Sequence, residues 1–476
     1  MLTIGSPRPT PSPGPLPDGA FAEAAAALAA DIREREAPLA GLPPRTGRSA
    51  EQQEQAARIH EACRSRRAGF LRAHAQDVYD HLTAGRTLRL GLAELVAAAA
   101  QAFPGLVPTT GQLAEELRHV QEDKEGREID QGIFFREILR LPGAGGHLVD
   151  VLRDPTPEAL ALLDGFRSTG HVDLGKVRLE RRDAGGHVTF HNESCLNAED
   201  NELIAQLEVA VDLVLLDDGI KVGVLRGAPM THPRYQGRRV FSAGINLSDL
   251  HHGRISFVGF LLQRELGYIS KMLRGLSTRG RGDAYPAHGI EKPWAAAVDG
   301  FAIGGGTQLL LVMDKVIAAA DSYLSLPAAQ EGIVPGAANF RLSRSGARVA
   351  RQIVLGGRKL WAGDPQSGLL IDEVVDPKAM DRAVEEAVEQ LAAPAVLANR
   401  RMLHLSEEPV DAFRAYMAEF SLAQALRLYG DDVLDKVGKF SARSAAVANE
   451  AGHVQADAQA QAQAQAEVEV EVEAEA

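Results

Sequence analysis

The stretch whose reading decides the fold is Phe241-Ser-Ala-Gly-Ile-Asn-Leu247 together with Lys292-Pro-Trp-Ala-Ala-Ala-Val-Asp-Gly-Phe-Ala-Ile-Gly-Gly-Gly-Thr-Gln308. Each half reads as a buried strand that runs into a small-residue turn and opens a helix. The first N–H groups of a helix have no partner inside it, and the aligned peptide dipoles add partial positive charge there. Gly304, Gly305 and Gly306 remove side-chain bulk, so a carbonyl oxygen can come within hydrogen-bond distance of the backbone. Two such turns aimed at one spot make a place for an oxygen that develops negative charge. A glycine triplet taken alone reads more readily as a loop or helix-packing device.

Upstream of the first turn, the hydrophobic period changes at Lys176 from helical to alternating. Val177, Leu179, Val188 and Phe190 flank Arg181-Arg-Asp-Ala-Gly-Gly186, which predicts a hairpin. A helix follows over 200–217, with Ile204, Leu207, Val211 and Val214 on one face, then a strand over 221–226, the first turn and a helix over 255–276. Strand 292–298, helix 304–313 and strand 315–319 continue the alternation. Strand, crossover helix and strand in succession predict an α/β fold with parallel pairing and function at the strand ends.

Further out, residues 1–18 are rich in Pro, Ser and Gly and are expected to be a disordered leader. Amphipathic segments at 19–36, 50–84, 88–102, 110–127 and 158–167 predict a helical N-terminal domain over 19–170, in which Pro142-Gly-Ala-Gly-Gly146 reads as a turn. The α/β core is assigned to 171–376 and a helical C-terminal region to 377–450. The Gln/Ala and Glu/Val repeats of 459–476 predict that 451–476 is a disordered acidic tail.

Of the 476 residues, 45% are hydrophobic and 24% charged, enough for more than one globular domain. The net charge is −13, of which Asp457 and five glutamates within 453–476 carry −6, leaving a mildly acidic body at −7. Nucleic acid as a main partner calls for a basic face and is not expected. No run of about 18 apolar residues is present and the first residues lack a signal-peptide pattern, so no membrane association and a cytoplasmic location are expected. Two cysteines, Cys63 and Cys195, are too few for a disulfide framework or a cysteine-based zinc site. There is no H-E-x-x-H, His251 and His252 are adjacent and so diverge, and no G-x-G-x-x-G follows a strand; no metal, flavin or nicotinamide is expected.

The two turns resemble those of the crotonase (enoyl-CoA hydratase/isomerase) superfamily, whose first loop has the pattern F-x-A-G-x-D-L and whose second reads D/N-G-x-A-x-G-G-G. Here these are Phe241–Leu247, with Asn246 where Asp is usual, and Asp299–Gly306. The resemblance runs from about Val177 to about Phe440 and includes Leu196-Asn-Ala198 and Gly332-Ile-Val-Pro-Gly336. It implies a crotonase-like ββα spiral core with an N-terminal all-helical domain, and a C-terminal helical oligomerisation region that builds a homotrimer or homohexamer. It further implies an acyl-CoA substrate whose thioester oxygen is held by the N–H groups of Ile245 and Gly305.

Hydratases of the superfamily use two carboxylates, because a proton must be taken and another given near neutral pH. At their positions this chain has Gln308 and Ala328, neither of which carries a proton, so thioester activation is retained without hydration. The glutamine, the alanine and the long helical extension resemble the superfamily's cofactor-independent dioxygenases. That implies O2 as co-substrate, a dihydroxyphenylacetyl-CoA as substrate, CoA released, and no cofactor. By the same resemblance, Gln308 would hydrogen-bond the substrate carbonyl or a phenol, Glu199 and Arg264 the ring hydroxyls, and Ala328 and Ile333 would line an oxygen pocket. Lys436, Lys439 and Phe440 fall where relatives place a C-terminal helix against the adenine and phosphates of CoA, and in the stretch between Arg226 and Phe241, longer than is usual in the family, Arg234, Arg238 and Arg239 are candidates to meet the phosphates. Read from spacing alone, Glu199 is equally a helix cap, Arg264 an exposed helical arginine paired with an acid, Ala328 and Ile333 ordinary core, and residues 227–240 a solvated basic loop. No base for the α-proton is assigned. Two other functions stay open: a hydratase, isomerase or thioesterase to which Glu331 supplies one carboxylate, and a catalytically silent acyl-CoA-binding subunit.

Overall fold

The computed structural model describes residues 19–231, 235–277 and 289–439, which fall into two compact units. The expected leader and tail, and the loop residue Arg234, lie outside the described residues.

The helical unit is assembled from residues up to Leu152, His252–Leu262 and Val410–Tyr429. Its long helix Ala50–Leu82 starts at a capping box in which Ser49 and Gln52 satisfy each other's backbone N–H groups. The expected helix over 110–127 stops at Glu116, whose buried carboxylate instead accepts from the backbone N–H groups of Glu125, Gly126 and Arg127. Two helices then follow, Glu128–Arg140 and Pro142–Val151. The second replaces the turn expected at Pro142–Gly146. Proline suits the first helical turn, and Gly145 is needed because a Cβ there would lie 2.5 Å from the Leu139 carbonyl oxygen.

Nearly every residue of Glu128–Arg140 is buried, so it needs cover on all sides. Helix Val410–Arg427 supplies one side: a Cβ on Gly132 would stand 2.6 Å from the Ala425 Cβ, and the Arg414 guanidinium donates to the Leu139 and Arg140 carbonyls at 2.5 and 2.8 Å. Phe257–Leu262 supplies another, with the Phe257 N–H donating to the Glu128 carboxylate at 2.8 Å. The domain expected over 19–170 is thus not one run of chain. Helix Pro157–Thr169 belongs to the other unit, where the Thr156 N–H donates to Asp212 at 2.6 Å.

Among the described residues the α/β unit holds ten strands: β1 His171–Asp173, β2 Val177–Arg182, β3 Gly185–Phe190, β4 Val222–Gly227, β5 Trp294–Val298, β6 Phe301–Ile303, β7 Lys315–Ala319, β8 Tyr323–Ser325, β9 Leu360–Trp361 and β10 Glu373–Val375. Seven form one sheet in the order β1-β2-β3-β4-β5-β7-β10, antiparallel through the β2–β3 hairpin and parallel from β3 onward, as the alternating pattern predicts. Helix Asn201–Leu216 covers part of it. Another face is filled by Val222, Val224, Ala295, Ala297, Ile317 and Ala319 at every second position. They meet Met380, Ala383, Val384, Ala387, Val388 and Leu391 at helical spacing along Met380–Leu391. β6, β8 and β9 form a second, smaller sheet.

Replacing Gly132 by Val forces a branched side chain into the Ala425 contact. The expected cost is about 1–3 kcal/mol, read as a lower urea midpoint for loss of helical signal.

Candidate functional site

The site begins with three backbone segments zipped side by side. The Phe241 and Ser242 N–H groups donate to Asp299 and Phe301, and the Ile303 N–H returns to Ser242 at 2.9 Å. On the other edge, the Ala243 N–H donates to Leu196, the Glu199 N–H to Gly244 at 2.6 Å and the Asn246 N–H to Glu199 at 2.9 Å. Glu199 is therefore paired in parallel with Ile245. In such a pair the residues flanking Ile245 make the bonds, so its own N–H points to the opposite edge, the side of the glycine turn.

That turn lies close by. Gly244 has φ +81°, and a Cβ there would be 2.9 Å from the Ile303 oxygen and 3.3 Å from the Gly305 nitrogen. Gly304, at φ +51°, is the N-cap of helix Gly305–Leu310, and its N–H donates to Ser325 at 2.8 Å. Gly305 becomes the first helical residue, where an N–H has no intrahelical acceptor. Asn246 keeps the capping role an aspartate would have, accepting from the Asp249 N–H at 3.1 Å.

Beneath the turn sits Arg264, 4% exposed. Its Nε and one Nη bind the two oxygens of Glu199, the latter at 3.1 Å; that Nη also reaches the Gly305 carbonyl at 2.7 Å. The other Nη donates to Glu265 Oε1 and to Gln308 Oε1, both at 2.9 Å. All five guanidinium N–H groups are thus engaged. Burial opposes the charge, but Glu199, Tyr268 and Glu265 outweigh it and hold Arg264 protonated well above its ordinary range. A Cβ on Gly305 would collide with this cluster, 2.7 Å from Glu199 Oε1 and 3.0 Å from an Arg264 Nη. Glu265 in turn lies against Gly336, the first residue of helix Gly336–Ser345, where a Cβ would overlap its carboxylate.

Arg264 can occupy this position because the helix expected over 255–276 is not regular. It is wound as π-helix over Phe257–Leu262 and Glu265–Ile269, with Gly267 at φ −88°, ψ −110°, and runs on as α-helix over Ser270–Arg274. Such wide turns recur at functional sites. The interruption also buries Lys271 against Glu208 at 2.8 Å and Asp212 at 2.9 Å; burial pushes Asp212 up to about 6.

Of the residues singled out in the sequence, Glu199, Ile245, Arg264, Gly305 and Gln308 therefore come together. Glu199 is not the helix cap, a role taken by Asp200, whose side chain accepts from the Leu203 N–H. Nor is Arg264 exposed. Gln308, 7% exposed, turns its carbonyl oxygen to Arg264, and its Nε2 donates to no other described residue. Ala328 is buried and accepts from the Ile333 N–H at 3.0 Å, which sets the two side by side. Lys436 donates to the Gln330 carbonyl, and Lys439 is exposed; Arg234 and Phe440 lie outside the described residues. Tyr268 and Glu265 were not singled out, although both follow Arg264 within one turn in an otherwise apolar segment; that spacing was the available signal.

A model of the enoyl-CoA hydratase/isomerase family matches residues 283–419. The (3,5-dihydroxyphenyl)acetyl-CoA 1,2-dioxygenase of Amycolatopsis orientalis is 56% identical over 407 residues, 85% of this chain and 93% of that protein. The chain belongs to the crotonase (enoyl-CoA hydratase/isomerase) superfamily. A short-chain-enoyl-CoA hydratase of Clostridium acetobutylicum is 25% identical over 230 residues, 48% of this chain and 79% of that protein. An enoyl-CoA hydratase/isomerase crystal structure from Xanthobacter autotrophicus is matched with a TM-score of 0.47 at 21% identity, over 57% of this chain and 94% of that one. For a crotonase, the joined turns around Gly244 and Gly305 are the expected place for a thioester oxygen.

Gly244→Ala places a methyl between the turns at a backbone angle that disfavours any side chain. It is expected to lower turnover about 100-fold or more while the far-ultraviolet dichroism is kept; near-parental turnover would mean that the spacing of the turns is immaterial.

Proposed function

We propose that this chain is a metal- and cofactor-independent dioxygenase that converts 3,5-dihydroxyphenylacetyl-CoA and O2 into 3,5-dihydroxyphenylglyoxylate and free CoA. The observation that carries the reading is the 56% identity over 93% of the Amycolatopsis dioxygenase. The site supports it. Ile245 and Gly305 polarise the thioester carbonyl, which acidifies the α-carbon and stabilises the enolate. Gln308 and Ala328 stand where a hydratase needs its acid and base, so the enolate is not led to hydration. Gln308 offers a donor from Nε2, suited to an oxygen of the substrate. Glu199 and Arg264 meet the ring hydroxyls where these replace a part of their mutual pairing.

An α-carbanion conjugated with an electron-rich ring and a thioester gives up one electron to O2, and recombination forms the bond from α-carbon to oxygen. The peroxide's far oxygen attacks the thioester carbonyl and expels CoA thiolate. O–O cleavage with loss of the second α-proton leaves the α-keto acid, so both oxygen atoms enter the product and CoA takes up a proton. The protein's part is to hold the enolate, to seat O2 against Ala328 and Ile333, and to exclude water. CoA phosphates are met by Arg234, Lys436 and Lys439, and the adenine by Phe440. Location in the cytoplasm and assembly as a homotrimer or homohexamer belong to the same reading. Assembly is supported by Met402, Leu403 and Leu405, which are 67%, 59% and 62% exposed on helix Pro394–Glu407.

Chelator-treated enzyme given 3,5-dihydroxyphenylacetyl-CoA is expected to consume one O2 for each CoA thiol released. Equal thiol release without O2 would make it a thioesterase, and no turnover would make it a binding subunit. Ile333→Gln is expected to raise the O2 concentration needed for half-maximal rate more than it weakens binding of the CoA ester. Light scattering should give three or six times the chain mass; a monomer would overturn the assembly.

A further inference from the structure

The proposed reaction starts with loss of an α-proton, and neither Gln308 nor Ala328 can take it. Glu331 is placed differently. It ends the short helix Ala328–Glu331, and the chain turns back at Gly332 with φ 77°. Its carboxylate oxygens lie 3.8 and 3.9 Å from where a Cβ would stand on Gly304, the residue immediately before the Gly305 N–H. The side chain is half-buried, and among the described residues it accepts no hydrogen bond and forms no ion pair. An unpaired carboxylate beside the turn that polarises the thioester is a group that neither folding nor the Arg264 cluster uses.

We propose that Glu331 is the catalytic base that removes the α-proton of the bound acyl-CoA thioester, a role that rests on the reaction read above. Covalent geometry sets its oxygens within about 8 Å of the Gly305 nitrogen. A thioester oxygen hydrogen-bonded to that nitrogen at about 2.9 Å puts the α-carbon about 2.4 Å further on, and a carboxylate takes a C–H proton from about 3 Å. The spans meet. In the step, the C–H pair delocalises onto the carbonyl oxygen and the proton passes to Glu331. The acid thereby becomes neutral as the enolate becomes negative, so the two are never like charges, and the proton leaves with the CoA thiol. Burial pushes Glu331 up to about 7, against the opposing charge of Lys436, the cation that faces it from the helical segment 431–439. A base is most effective when it titrates near the working pH.

Exchange of the α-protons for deuterium, followed by mass spectrometry with the full chain and 3,5-dihydroxyphenylacetyl-CoA under argon, isolates this step from oxygen chemistry. Wild-type exchange is expected to rise with pH to a plateau above about 7. Glu331→Gln is expected to slow it at least about 100-fold with binding of the ester changed less than about threefold, and Glu331→Asp to restore part of the rate. Lys436→Met is expected to move the midpoint to higher pH, since it removes the charge that favours the carboxylate; this arm decides the matter where Glu331→Gln does not fold. Exchange by Glu331→Gln within threefold of wild type, or a midpoint unmoved by Lys436→Met, overturns the proposal. Exchange that depends on Glu331 without any O2 uptake would leave the base standing and remove the dioxygenase reading.

Discussion

The arrangement of the site depends on one constraint: a permanent positive charge is held where water barely reaches. A buried guanidinium is tolerated only when its donors are matched and its charge is balanced. Arg264 meets this with Glu199, its neighbour Glu265, and the Gly305 carbonyl and Gln308 side chain of one short helix, drawn from three places in the chain. The glycine at 305 follows from this, because any side chain there would occupy the space of the ion pair. So does the irregular winding of 257–269, which carries Arg264, Glu265 and Tyr268 inward together.

The turn at Gly304–Gly306 is held from two sides. On the front, Gly244 lies against Gly304 and Gly305; behind, Arg264 grips the Gly305 carbonyl and the Gln308 side chain. The peptide groups that would receive a developing charge are thus oriented before any ligand arrives, which is the condition under which backbone dipoles contribute most to catalysis.

Much of this was legible in the sequence where the physics is local. The two-residue period of Val222, Val224, Ala295 and Ala297 marks buried strands, and the glycines at 244 and 304–306 mark turns whose chemistry is the backbone's own. The meeting of Glu199, Arg264 and Gln308 was suggested by resemblance but not by spacing, because an ion pair between residues 65 apart leaves no periodic trace. The same reason hid helix Glu128–Arg140. Its buried Glu128 and Asp130 look like surface residues until their distant partners, the Phe257 N–H and Tyr429 hydroxyl for the first and Arg67 for the second, are known. Gly145 was misread because a glycine needed for a close helix approach and a glycine needed for a turn are identical on paper.

The discontinuous make-up of the helical unit bears on how the chain reaches its native state. The Arg414 contact with Leu139 joins residues 275 apart, and Glu128–Arg140 lacks that cover until Val410–Arg427 has been synthesised. Early helices must therefore wait, partly uncovered, while the α/β portion emerges. Such long-range closure slows folding and leaves apolar surface open to self-association in the interval. Truncation before residue 410 would make that interval permanent, so chaperone demand and yield on expression should track the integrity of the last helices more than that of the glycine turns.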